Sequence, residues 1–184
     1  MDQQNKKYLL ISGAMLLTYL IYKLGIKNVE ITEAEFLRLK SNKGIKNPLA
    51  GKLVLTSPFG WRIQPKTGKQ EFHNGVDLVF PYPTQTSGQP IYAPLSGKIS
   101  ANYSNALGGN QLILDSGFAK FGFAHLLQPS PLPVGTIVKK GQEIGKVGNT
   151  GLSTGAHLHF TLRLNGAVVD PLKNLPDLFA ATKI

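Results

Sequence analysis

The sequence predicts a mainly β fold of antiparallel strands preceded by an apolar N-terminal helix. Three observations carry this. From Leu53 onward, short alternating or continuous apolar runs recur between Gly-, Asn- and Pro-rich turns. Twenty glycines and twelve prolines in 184 residues suit a turn-rich sheet better than a helical bundle. One long uncharged apolar run, Tyr8 to Tyr22, stands ahead of all the strand signals. The length allows one ordinary domain plus an appendage. The divisions fall at 1–26 (membrane anchor), 27–51 (connector with a short helix) and 52–184 (β domain).

The apolar run is flanked by Lys6, Lys7 and Lys23. Extended to Ile26, with Lys23 reaching toward the headgroups, it approaches the ~20 residues a membrane span needs. No small-x-small cleavage site follows it, which favours an uncleaved anchor over a signal peptide. Basic residues are more numerous after the run (Lys23, Lys27, Arg38, Lys40) than before it. By the positive-inside rule that bias keeps the C-terminal domain cytoplasmic. In the connector, Thr32-Glu33-Ala34-Glu35 spells a capping box for a helix from Glu33 to Lys40. Ala34, Leu37 and Phe36 are the residues expected to pack. Ser41 to Ala50 reads as an extended linker.

The strands come next. Leu53–Thr56 and Val76–Phe80 are apolar runs, and a polar loop with three prolines (81–90) follows them. Ile91–Pro94, Gly97–Ser100, Gln111–Asp115 and Lys120–His125 continue the pattern. Val138–Gly148 adds two short strands, and Phe160–Leu164 alternates into the hairpin turn Asn165-Gly166. Ala167–Pro171 closes the sheet.

The formal net charge is +10, half of it before residue 53. Such a surface favours anionic partners, but no arginine-rich or basic–aromatic run points to nucleic acid. With no cysteine, disulfides and thiolate metal sites are excluded.

The four histidines hold the chemistry. His157 and His159 stand two apart, so strand alternation puts them on one face, with Leu158 and Phe160 on the other. One imidazole of such a pair can ligate a metal while its neighbour handles a proton. Upstream, His73-Asn74-Gly75-Val76-Asp77 is HxxxD. Gly75 argues against a helix, so these residues read as a loop entering a strand. His, Asp and His with an open position form a common catalytic zinc arrangement. Alone, HxH also describes two exposed strand histidines, and HxxxD a capping aspartate beside a surface histidine.

Taken together, Ser57-Pro58-Phe59-Gly60-Trp61-Arg62, His73-Asn74-Gly75-Val76-Asp77-Leu78, Ala124-His125-Leu126, Gly148-Asn149-Thr150-Gly151 and His157-Leu158-His159-Phe160 occur in an order that resembles the M23 zinc metallopeptidases. These are the lysostaphin/LytM-type peptidoglycan endopeptidases, and the resemblance covers roughly residues 52 to 172. It implies an antiparallel LytM/lysostaphin-type peptidase domain. It further implies one Zn²⁺ held by His73, Asp77 and His159, with His125 and His157 as catalytic residues and Arg62 in a structural role near the site. The implied substrate is a peptide of bacterial peptidoglycan. Phe123 stands where the family often has Tyr, and Thr161 where it often has Glu, which predicts altered tuning. Some members place an asparagine of an N-terminal segment on the metal, so Asn42 and Asn47 are candidate occluders. The loop 81–90 is a candidate groove wall. With the anchor, the resemblance implies a peptidase domain held at a membrane and facing the cell wall. The charge bias opposes that orientation, and the membrane of a membrane-containing virion is the other setting. Two further function classes are a non-catalytic M23-like module that activates another wall hydrolase and a structural membrane or virion protein.

Overall fold

The computed structural model describes residues 30–42 and 44–179. The apolar run 8–22 lies outside the described residues. Among them, no helix is long and apolar enough to cross a membrane.

The β domain is built on one antiparallel sheet. Its strands are β1 (Val54–Ser57), β4 (Val76–Val79), β6 (Gly97–Asn105), β7 (Gly109–Asp115), β8 (Ala119–Leu126), β9 (Ile137–Val138), β11 (Leu158–Leu164) and β12 (Ala167–Val169). The order across the sheet is β1-β4-β11-β8-β7-β6-β9, with β12 also paired to β11. Two small ribbons flank it: β2 (Gly60–Ile63) with β3 (Gln70–His73), and β5 (Pro90–Tyr92) with β10 (Glu143–Lys146). The predicted Asn-Gly turn joins β11 to β12 with both residues at positive φ, 46° and 82°, as a type I′ hairpin requires.

Alternation decides which face of β11 meets the core. Leu158, Phe160 and Leu162 are fully buried. They join Val76, Leu78, Leu112, Leu114 and Phe121 in one hydrophobic cluster. Each such side chain contributes roughly 1.5–3 kcal/mol by leaving water. His159, Thr161 and Arg163 project from the other face, so core packing on one side aims functional groups on the other.

The helix α1 (Glu33–Ser41) has its capping box in place: Thr32 Oγ1 accepts from the Glu35 amide, and the Glu35 carboxylate accepts from the Thr32 amide. Its packing residue is Phe36, buried against Phe118 with ring centroids 5.7 Å apart. Leu37 and Ala34, expected to pack, are exposed. On a helix, Phe36 and the partly buried Leu39 are neighbours three apart, and only that side faces the sheet. Ile31 docks on the turn before β8, its amide donating to Ser116 and its carbonyl accepting from Phe118.

Residues 44–50 are not a free linker. Ile45 and Leu49 are buried in the main cluster. The Lys46 amide donates to the Pro94 carbonyl, and Asn47 Nδ2 donates to Leu178 O at 2.7 Å. Turn-forming residue types concealed this, because the two apolar anchors are spaced four apart with no strand or helix around them. After β12 the chain adds a short helix, α2 (Pro171–Asn174), capped by Asp170 with Pro171 at its first position, and a 3₁₀ turn that buries Phe179.

Candidate metal centre

The site grows from three pieces of the sheet. β3 ends at His73. The pair Asn74-Gly75 turns the chain into β4, whose second residue is Asp77. In the β4–β11 pairing, Asp77 lies directly opposite His159. Gly75 permits this approach. A Cβ there would sit 2.5 Å from Phe160 O and 2.9 Å from His159 Cε1, so any side chain would push β11 and the imidazole away.

The ligating atoms converge. His73 Nε2 is 3.1 Å from Asp77 Oδ1 and 2.9 Å from His159 Nδ1, and His159 Nδ1 is 2.8 Å from Asp77 Oδ1. Among the described residues these three form the group able to hold a metal ion. Outer hydrogen bonds say which nitrogen faces inward. His73 Nδ1 donates to the Pro58 carbonyl at 2.7 Å, and His159 Nε2 donates to Asn74 Oδ1 at 3.0 Å. A neutral imidazole has one N–H, so both inner nitrogens present lone pairs. Burial acts first on His159 and pushes its pKa down despite the neighbouring Asp77, which keeps the ring neutral at pH 7. For Asp77, burial alone would raise the carboxyl. The hydrogen bonds and charge of His159 and His73 outweigh it and hold the group well below the usual carboxylate range. With both protons on the outer nitrogens, the three inner atoms are all electron-pair donors, and a cation among them satisfies all three; without the ion, an inner N–H donating to Asp77 Oδ1 takes that place. Ligands of a tetrahedral zinc with bonds of about 2.0–2.1 Å lie about 3.3 Å apart, close to the spacing here. Two imidazoles and a carboxylate suit that ion.

Arg62 completes the ligand side. Its guanidinium donates to Asp77 Oδ2 at 2.9 Å and grips Glu71 through Nε and Nη2, both at 2.9 Å, with Ser57 Oγ as a further acceptor. Asp77 therefore offers one oxygen to the metal position while the other is fixed. β2 and β3 pair Arg62 with Glu71 across the ribbon, which is why these residues share a face.

The other two histidines stand beside this group. His157 Nε2 is 3.5 Å from Asp77 Oδ1, and its ring lies 4.6 Å from that of His125. His157 Nδ1 donates to Gly155 O at 2.9 Å, and His125 Nδ1 donates to Thr150 O at 2.7 Å. For these two rings the inner nitrogen is Nε2. His125 sits at φ 60°, a strained conformation for a non-glycine residue. Its amide is held by Gly108 O. Burial pushes its pKa down to about 4; the Thr150 carbonyl opposes this, and the nearby His157 and His159 add to it.

All five residues singled out from the sequence are brought together. The candidate occluders are not. Asn47 is held by Leu178 and Leu49, and Asn42 caps α1. The loop 81–90 does not line the groove at this centre, a cavity of about 380 Å³. It ties back instead through the Gly88 amide to Val147 O. Phe123 borders the groove. Its ring is buried against Phe160, 5.7 Å between centroids. Thr161 does line the groove, beside Gly122. Asn74, Gly75 and the Pro58 and Thr150 carbonyls carry weight that sequence reading did not assign. The one available signal was the Asn-Gly step set between two ligands.

Comparison with known proteins agrees with this geometry. The model of peptidase family M23 matches residues 71–171. The chain belongs to that family. It is 34% identical over 121 residues to the peptidoglycan DD-endopeptidase ShyB of Vibrio cholerae, covering 65% of this chain and 27% of that protein. Among solved structures, a zinc-containing peptidase from Vibrio cholerae superposes with a TM-score of 0.57 at 30% identity, over 68% of this chain and 38% of that one. The catalytic domain of lysostaphin from Staphylococcus simulans superposes with a TM-score of 0.54 at 32% identity, over 66% of this chain and 91% of that domain. The chain spans 22–29% of the length of the curated relatives it matches.

Proposed function

We propose that this chain is a zinc-dependent endopeptidase that hydrolyses peptide bonds of bacterial peptidoglycan. The observation that carries the reading is the convergence of His73 Nε2, Asp77 Oδ1 and His159 Nδ1, each oriented by a bond on its outer side. Kinship with a named peptidoglycan DD-endopeptidase supplies the substrate class. When bound, Zn²⁺ supplies Lewis acidity and an activated water.

The remaining work falls to the chain. His157 and His125 each keep Nδ1–H on a carbonyl and turn a free Nε2 toward the ligands. At neutral pH that Nε2 of His125 is an acceptor, so it can take a proton and later return it to the leaving amine. Once protonated, either imidazole can donate to developing negative charge on the scissile carbonyl oxygen. The groove floor, with Gly122 opposite Thr161 on adjacent strands, leaves room for an extended peptide.

The run Tyr8–Tyr22 anchors the peptidase domain to a membrane, at the cell envelope or in a virion. Its support is the length of the run and its lysine flanks. The test of the enzymatic reading is digestion of purified peptidoglycan with and without a chelator, with zinc measured per folded chain. The expected result is about one zinc per chain, cleavage lost on chelation and restored by Zn²⁺, and no zinc retained by Asp77→Ala. Cleavage indifferent to chelator, or full zinc occupancy in Asp77→Ala, contradicts it.

A further inference from the structure

Each of the four imidazoles has one nitrogen turned into the cluster and one tied from outside. For three of them the outer acceptor is a main-chain carbonyl: Pro58 for His73, Thr150 for His125 and Gly155 for His157. His159 differs. Among the described residues, the partner of its Nε2 is the Asn74 side chain, at 3.0 Å. Asn74 is exposed and sits in the spacer between the ligands His73 and Asp77. Its neighbour Gly75 lies against the same ring. The spacer therefore holds the third ligand from across the sheet, Gly75 by contact and Asn74 by a hydrogen bond.

We propose that Asn74 is a positioning residue for the metal: its carboxamide oxygen sets the tautomer and ring angle of His159. The proposal rests on the reading that His73, Asp77 and His159 hold zinc. The logic is one of proton placement. An imidazole that binds a metal through Nδ1 must carry its proton on Nε2. An acceptor at Nε2 favours that form and fixes the ring plane. If the amide were turned so that Nδ2 met the ring, Nε2 would have to accept. The proton would then sit on Nδ1, facing the metal position. The oxygen-inward orientation is the one compatible with ligation.

The same geometry makes the residue a tuning point. An amide accepts without charge. A carboxylate at this position would accept the same N–H and raise the basicity of the ligand, as outer carboxylates do for metal-bound imidazoles. A carbonyl acceptor built into the main chain, as at Pro58, cannot be exchanged by side-chain substitution. Of the four outer partners, Asn74 is the one wholly open to that exchange, because His157 also has the Gly155 carbonyl besides Ser153 Oγ.

The test is the zinc affinity of the full chain, by competition with a chromogenic chelator at neutral pH, for wild type, Asn74→Ala and Asn74→Asp. Thermal melting of each metal-free variant runs alongside. Partners of this kind change affinity by roughly 10–100-fold, and the exposure of Asn74 places the expectation near the lower end. Asn74→Ala should bind zinc about tenfold more weakly, and Asn74→Asp as tightly as wild type or more so. The metal-free melting temperatures should be nearly equal. Asn74→Ala within twofold of wild type overturns the proposal. So does an Asp variant as weak as the Ala variant, since that means the amide donates or serves only the turn. Failure here with normal zinc in wild type and none in Asp77→Ala removes Asn74 alone. Absence of zinc from wild type removes the metal reading and this proposal together.

Discussion

The two halves of the site are built differently. His73, Asp77 and His159 stand on strand ends and paired strands, where a fixed register puts Asp77 opposite His159. His125 and His157 depend on loops. His125 is at the end of β8 in a left-handed conformation, and both rings are tied to carbonyls of the segment 148–155. That segment packs on the turn 107–109 with almost no side chain between them. A Cβ on Gly151 would fall on the Gly109 amide, and one on Gly109 would fall on Thr150. On the proposed roles, ligand placement depends on the sheet and proton handling on two stacked glycine turns. Each should fail without the other.

A pair of glycine substitutions should break the site along this line, with the largest expected effect. Gly75→Ala should weaken zinc binding by more than tenfold and reduce cleavage in proportion, because its methyl meets the His159 ring and the Phe160 carbonyl. Overpacking of this kind costs about 1–3 kcal/mol of stability. Gly151→Ala should keep the zinc and lose cleavage per zinc, since it displaces the Thr150 carbonyl that orients His125. Zinc per folded chain and cleavage per zinc separate the two. Equal zinc loss in both variants would mean that the halves are not separable.

The sheet that carries the ligands also takes the connector. Phe36→Ala should destabilise the fold by about 3–5 kcal/mol, while zinc stoichiometry of the folded fraction stays unchanged. Denaturant melts check the first and metal analysis the second. A free connector would show no such loss.

A smaller effect sharpens the loop side. The pKa of His125 falls from its ordinary value of 6.5 to about 4 in the fold. Between those values the unfolded chain binds the proton and the folded chain does not. Stability from this group is therefore complete above pH 6.5 and is lost as pH falls toward 4. His159 shifts in the same direction. The metal-free protein should melt at progressively lower temperature from pH 6.5 to 4, and His125→Ala should flatten that slope. An unchanged slope contradicts the assignment of the effect to His125.

The sheet was legible because it rests on periodicity, while the proposed ligands were named from the HxxxD and HxH residue types and the family resemblance. Alternation in β11 fixes which of Leu158, His159 and Phe160 face the core, and HxH inherits its shared face from the same rule. The hairpin turn was legible from its Asn165-Gly166 step, because those residue types tolerate the positive φ that such a turn needs. What escaped depends on contacts between distant segments. Ser41 to Ala50 has linker composition, yet Ile45 and Leu49 dock in the core. Leu37 looked like a packing residue until the direction of α1 was set by Phe36 and Phe118. The outer acceptors Pro58 O and Thr150 O are main-chain atoms, which no motif of side chains can specify.

Two neighbouring histidines, two residues apart in sequence, are proposed to do different work. His159 Nδ1 is 2.8 Å from Asp77 Oδ1, and His157 Nε2 is 3.5 Å from it. The direct test measures zinc per folded chain and cleavage per zinc in His159→Ala, His157→Ala and His125→Ala. His159→Ala should lose zinc and cleavage together. His157→Ala and His125→Ala should keep their zinc and fall in turnover by about 10²–10⁴, the usual worth of acid–base help. Zinc lost from His157→Ala but retained by His159→Ala would reverse the assignment, and cleavage per zinc unchanged in both His157→Ala and His125→Ala would contradict the division of labour altogether.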